Sequence, residues 1–117
     1  MTPEEQNIVV AEACGLIEIK LRPHPLDGSL ILSGILPPKD YPIAVPDYGS
    51  DLNAMHEAEK VLTNVQSAKY ANLLHTMILG TKIAGLHHNE TCYFRTLHAT
   101  AAQRREAFVR TIGKWRD

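Results

Sequence analysis

The stretch Leu16-Ile17-Glu18-Ile19-Lys20-Leu21-Arg22 decides the class of fold. Its apolar and charged residues alternate strictly, Ile17, Ile19 and Leu21 to one side and Glu18, Lys20 and Arg22 to the other. A period of two predicts a half-buried β-strand, because successive side chains of extended backbone point to opposite faces. Pro23-His24-Pro25-Leu26-Asp27-Gly28 follows as a turn, with Asp-Gly as its hairpin dipeptide. Residues 29–36 form the return strand, with a bulge expected at Ser33-Gly34. Four prolines (37, 38, 42 and 46) make residues 37–49 read as an irregular loop.

Helices flank this hairpin. Upstream, Thr2-Pro3-Glu4-Glu5 is a capping box with proline at the first helical position, and Gly15 supplies the exit. This first helix is apolar over most of its circumference, so a further layer or a second subunit should cover it, and a homodimer through helix 1 is one expectation. Downstream, Ser50 or Asp51 caps a second helix reaching to about Val65, with Met55, Ala58, Leu62 and Val65 inward. A third runs from Ser67 to Gly80, with Tyr70, Leu74, Met77 and Ile78 inward. Residues 81–86 and 91–97 read as a second hairpin. Thr100-Ala101-Ala102-Gln103 opens a last helix whose Ala101, Phe108, Ile112 and Trp115 share one arc and should pack on a sheet.

The expected class is therefore α+β: a mostly antiparallel sheet from two hairpins with helices on its faces, in one domain spanning residues 1–117. The 117 residues suit a single domain, and 44% apolar with 21% charged residues is ordinary globular composition. No apolar run approaches the roughly 20 residues of a membrane span, and the acidic start is unlike a secretory signal. Those features point to a cytoplasmic protein with no membrane partner. They also favour reduced thiols at Cys14 and Cys92, although the two could in principle pair.

The net charge of −1 gives no global attraction for a polyanion. The basic last helix does not line its arginines on one face, so nucleic acid is a disfavoured partner. Arg104 and Arg105 flank the apolar arc on opposite sides, and their long stems make them candidate anion contacts. The 41–49 loop brings Tyr48 to the start of helix two, whose exposed amides could face an anionic or planar ligand. With Asp51, Asn53 and His56 these residues complete the candidate ligand-binding set. Tyrosines covering a sheet edge and a solvated helix face are the competing readings.

No metal or cofactor is implied. His56-Glu57 lacks the second histidine that a zinc-protease helix needs, since Lys60 stands there. His87, His88, Cys92 and His98 offer ligand chemistry without a recognised metal spacing, and a polar turn is the alternative. There is no nucleophile elbow and no phosphate-binding glycine loop.

Three segments, Asn7 to Gly15, Pro46 to Glu59 and Ala99 to Trp115, together resemble the phage ABA sandwich domain family. They stand in the family's order, and the middle one, with Asp51-Leu52-Asn53-Ala54-Met55-His56, is fairly specific. Family members usually carry an aromatic residue where this chain has Leu16. The resemblance implies an α/β/α sandwich of phage or prophage origin, at work in the bacterial host cell. It implies no activity and carries over no catalytic residue. The expected role is that of a small accessory protein acting by binding: either a host-protein inhibitor or adaptor, or a trap for a small anionic ligand such as a nucleotide signal. A metal-assisted hydrolase and a nucleic-acid-binding accessory protein are the alternatives.

Overall fold

The computed structural model describes residues 1–79 and 98–117. The elements run α1 (Pro3–Ala13), β1 (Ile17–Pro23), β2 (Leu30–Ile35), β3 (Pro42–Ala44), α2 (Leu52–Glu59), α3 (Asn64–Leu79) and α4 (Ala101–Thr111). The second hairpin expected at 81–97 lies outside the described residues.

The class is α+β, and the described residues form a three-stranded antiparallel sheet in the order β1-β2-β3. β3 falls within the stretch read as an irregular loop. Pro42 can sit there because, among the described residues, β3 is an edge strand, where a missing amide donor costs nothing in the ladder.

The bulge sits on β1, across from the position expected. Register slips between Ile17 and Lys20, leaving Glu18 and Ile19 opposite Gly34, and Glu18 takes a left-handed φ of 53°. Gly34 makes room for this. A Cβ there would lie 2.9 Å from Ile19 Cγ1 and 3.2 Å from the Ile17 carbonyl oxygen. The slip also breaks the expected alternation. Ile17 pairs with Ile35 and Leu21 with Leu32, three residues apart on β2, so Ile17 and Leu21 face opposite sides of the sheet.

α4 is the centre of the helical body, packed against α1, α2 and α3. It was expected to lay one face on a sheet; instead Ala101, Ala107, Phe108, Val109 and Thr111 are all buried, which takes in most of its circumference. Its capping box is present in full, Thr100 Oγ1 accepting from the Gln103 amide and Gln103 Oε1 from the Thr100 amide. Phe108 lies at the middle of a core shared with Val10, Ala11, Met55, Tyr70 and Leu74. Burying a side chain of that size contributes about 2–3 kcal/mol.

The sheet meets this core at its base, through Leu16, Ile19, Leu36 and Ile43. Farther out, Leu21 and Leu30 are exposed, and Leu26 at the hairpin tip is 91% exposed. A sandwich with helices on both sheet faces is not confirmed by the described elements.

α2 ends at Glu59, short of the expected Val65. Thr63 and Gln66 form a reciprocal cap, the Gln66 amide donating to Thr63 Oγ1 and the Thr63 amide to Gln66 Oε1, so α3 starts at Asn64. Val65 then lies on the first turn of α3, 82% exposed rather than inward. Tyr70 and Leu74 are buried as expected, and Met77 and Ile78 pack partly against the core.

Candidate functional site

Two adjacent arginines of α4 organise two polar clusters. Arg105 is buried. Its Nε donates to Gln6 Oε1 at 3.1 Å, and its Nη1 donates to Asn7 Oδ1 at 3.0 Å and Asp47 Oδ1 at 3.4 Å. Asn7 Oδ1 also accepts from the Tyr48 amide, and Asn7 Nδ2 donates to Asp47 Oδ1. Asp47 closes its own turn, accepting from the Gly49 amide and, at 2.8 Å, from the Ser50 hydroxyl. The Ser50 and Asn7 hydrogen bonds hold the Asp47 carboxyl below the usual carboxylate range, with Arg105 adding a smaller pull. Asp51 follows as the α2 cap, its Oδ1 accepting from the Ala54 amide at 3.0 Å. The loop before α2 is thus pinned to α1 and α4 by one guanidinium.

Tyr48 is buried, its hydroxyl beside the Cys14 thiol. Burial pushes both groups above their ordinary pKa values, so at neutral pH each keeps its proton and the thiol is a poor nucleophile.

Arg104 anchors the second cluster. Its Nε donates to the Ala99 carbonyl at 3.3 Å and its Nη1 to Glu59 Oε2 at 3.0 Å. The other Glu59 oxygen meets His56 Nδ1 at 2.8 Å. The Tyr70 hydroxyl is buried beside Glu59 and Arg104 without a well-aligned hydrogen bond among the described residues, and burial, with the Glu59 carboxylate beside it, raises its pKa.

Tyr48 and Arg105 therefore meet through Asn7, and His56 and Arg104 meet through Glu59. Asp51 joins the first cluster as a cap, and Asn53 is exposed on the first turn of α2. The six candidates do not converge on one cavity. Among the described residues, no group of three or more His, Cys, Asp or Glu is placed to hold a metal. His87, His88 and Cys92 lie outside the described residues, while His98 is exposed.

A cleft of about 670 Å³ opens elsewhere, between α1, the α2–α3 connection and the segment after α4. Val9 and Ala13, Val61 and Leu62, and Ile112 and Trp115 supply its apolar walls; Glu12, Gln66, Lys114 and Arg116 supply its polar groups. The tail that forms one wall is fastened down. Gly113 (φ 75°) turns the chain out of α4, the Met1 ammonium donates to the Arg116 carbonyl at 3.0 Å, and Arg116 pairs with Glu5 at 3.3 Å. The Arg110 guanidinium lies 4.2 Å from the centre of the Trp115 ring and is itself held by Glu106 at 3.0 Å.

The candidate set contains none of the cleft residues. The signal was the apolar surplus: Val9 and Ala13 pointing away from the main face of α1, and Val61 at the margin of α2. Part of the excess apolar surface on helix one, Val9 and Ala13, lines this cleft.

No family model, curated protein or solved structure matches this chain.

Proposed function

We propose that this protein acts by binding, as a small accessory protein of phage or prophage origin, and that its partner is held in the cleft between α1 and the segment after α4. The observation that carries this reading is the cleft itself. It lies within the roughly 300–1,000 Å³ range of ligand pockets, and apolar walls with a few polar groups are the usual make-up of such sites. The two α4 arginines have a different part in this reading: with Gln6, Asn7, Asp47 and Glu59 they fix the scaffold around which the cleft is built. The partner is either a host protein, which the chain would inhibit or adapt, or a small anionic ligand that it would sequester.

Native mass spectrometry for a retained small molecule and capture from bacterial lysate test this in parallel. Each is run on the natural chain and on Val61→Glu. Val61 lines the cleft and is half exposed, so a charge there blocks the cleft without burdening the core. Retention of a ligand or protein that Val61→Glu abolishes is the expected result. A chain that retains nothing, or whose catch is indifferent to the substitution, overturns the reading.

The runner-up is a metal-assisted hydrolase, favoured by the solvent-facing imidazole of His56 held by Glu59. Elemental analysis of protein purified without chelator tests it: one zinc or manganese per chain would promote it, and metal-free protein counts against it.

A further inference from the structure

Resting on the reading of the cleft as the binding site, we infer that it takes a small aromatic anion, with the ring system against Trp115 and the acid group at Lys114.

The size and the walls set the first half of this. An apolar lining drawn from three separate segments removes a flat ring system from water on several sides. Trp115 adds an extended π-surface whose orientation is fixed, since Arg110 packs over its ring and Glu106 holds Arg110. A fixed aromatic wall loses no rotamer freedom when a ring stacks on it.

The second half follows from which charges are already paired. Arg116 has Glu5 and Arg110 has Glu106. Lys114 is exposed, lines the cleft and has no ion pair among the described residues. It follows directly on Gly113 and precedes Trp115, so the unpaired ammonium and the indole belong to adjacent residues. Glu12 on α1 is the opposing term, so an acid group is attracted to the tail side and repelled from the α1 side. That asymmetry gives the ligand a direction as well as a charge.

The probes are 1-anilinonaphthalene-8-sulfonate and its uncharged counterpart N-phenyl-1-naphthylamine, which share one ring framework and differ in the sulfonate. Trp115 is the only tryptophan in the chain, so its emission reports dye bound near it, and loss of that quenching in Val61→Glu separates the cleft from energy transfer to dye bound elsewhere. The sulfonate should quench it saturably, one per chain, and bind at least several-fold more tightly than the uncharged dye. Lys114→Glu should weaken the sulfonate about tenfold and leave the uncharged dye unchanged, because reversing one surface charge acts on the anion alone. Glu12→Gln should tighten the sulfonate about twofold. A thermal melt of each variant confirms the fold.

Equal affinity for the two dyes, or a sulfonate indifferent to Lys114→Glu, overturns the charge assignment. Dye uptake without Trp115 quenching, as on the exposed leucines of the sheet, overturns the location. If neither dye binds but a host protein is captured by the natural chain and not by Val61→Glu, this inference fails while the binding reading stands. If nothing at all depends on the cleft, both fail.

Discussion

Gly49→Ala should destabilise this protein out of proportion to one methyl group, and only while Arg105 is present. The guanidinium lies directly over Gly49: a Cβ there would come within 2.7 Å of Nη2 and closer still to Nη1 and Cζ. The side chain cannot simply swing aside. Nε is held by Gln6 and Nη1 by Asn7 and Asp47, and Gln6 is itself buried. Relief requires giving up one or more of these bonds or moving the loop. Overpacking of this kind costs about 1–3 kcal/mol, which for a domain of this size lowers the melting temperature by roughly 3–10 °C. Arg105→Met alone should cost about 2–4 kcal/mol, because the buried Gln6 carbonyl loses its donor. In that background the added methyl meets no guanidinium, so Gly49→Ala should cost less than about 0.5 kcal/mol. Urea denaturation of the four proteins gives the coupling energy, expected at about 1–2 kcal/mol. Equal costs in the two backgrounds would refute the idea that Arg105 clamps this loop.

Three further perturbations test other parts of the structure. Tyr70→Phe removes a buried hydroxyl with no well-aligned hydrogen bond among the described residues, so it should be neutral or stabilise by up to about 1 kcal/mol in chemical denaturation; a loss of more than about 1 kcal/mol would show that its contacts with Glu59 and Arg104 hold it. Burial raises this phenol, so its contribution is intact below about pH 10 and is lost as the pH rises beyond it, and Tyr70→Phe should flatten the alkaline limb of unfolding. Asp47 has the opposite sign: its carboxyl is lowered in the folded chain, so its contribution is present above about pH 4 and disappears as the pH falls through the folded value. Asp47→Asn should therefore lose stability less steeply on acidification, and an unchanged acid limb would contradict the role of the Ser50 and Asn7 hydrogen bonds. Thr100→Ala breaks the α4 capping box and should cost about 1 kcal/mol in the same assay, with Thr100→Ser close to neutral.

What could be read in the sequence was what depends on neighbours in the chain. The caps at Thr2 and Thr100 are bonds between residues three apart; the Thr100 box formed in full, whereas at Thr2 only the Glu5 amide bond to the hydroxyl formed and the Glu5 carboxylate accepts from that hydroxyl instead of the Thr2 amide. The same grammar at Thr63 and Gln66 starts α3 at Asn64, which takes Val65 off the inward stripe of α2 and onto an exposed turn. The first strand was legible, but its faces were not. The slip opposite Gly34 depends on pairing with residues beyond the turn, and a one-residue slip reverses every face before it.

The clusters around α4 show the limit more sharply. A helical wheel places Arg104 and Arg105 at the margin of an apolar arc, where solvent is the default neighbour. Their partners Glu59, Asp47, Gln6 and Asn7 lie 45 to 99 residues away and turn exposed cations into buried, hydrogen-bonded ones. The cleft is non-local in the same sense, since α1, the α2–α3 connection and the tail each contribute two apolar walls. No periodicity within one segment signals that the leftovers of three will adjoin.

Amide and indole chemical-shift mapping of the labelled chain, titrated with 1-anilinonaphthalene-8-sulfonate, examines the binding cleft most directly. Shifts should concentrate on Val9, Ala13, Val61, Leu62, Ile112 and the Trp115 indole, leaving the hairpin tip around Leu26 and the His56–Glu59 turn unmoved. Shifts concentrated on Leu21, Leu26 and Leu30, or on His56 and Arg104, would place the binding surface elsewhere and contradict the account.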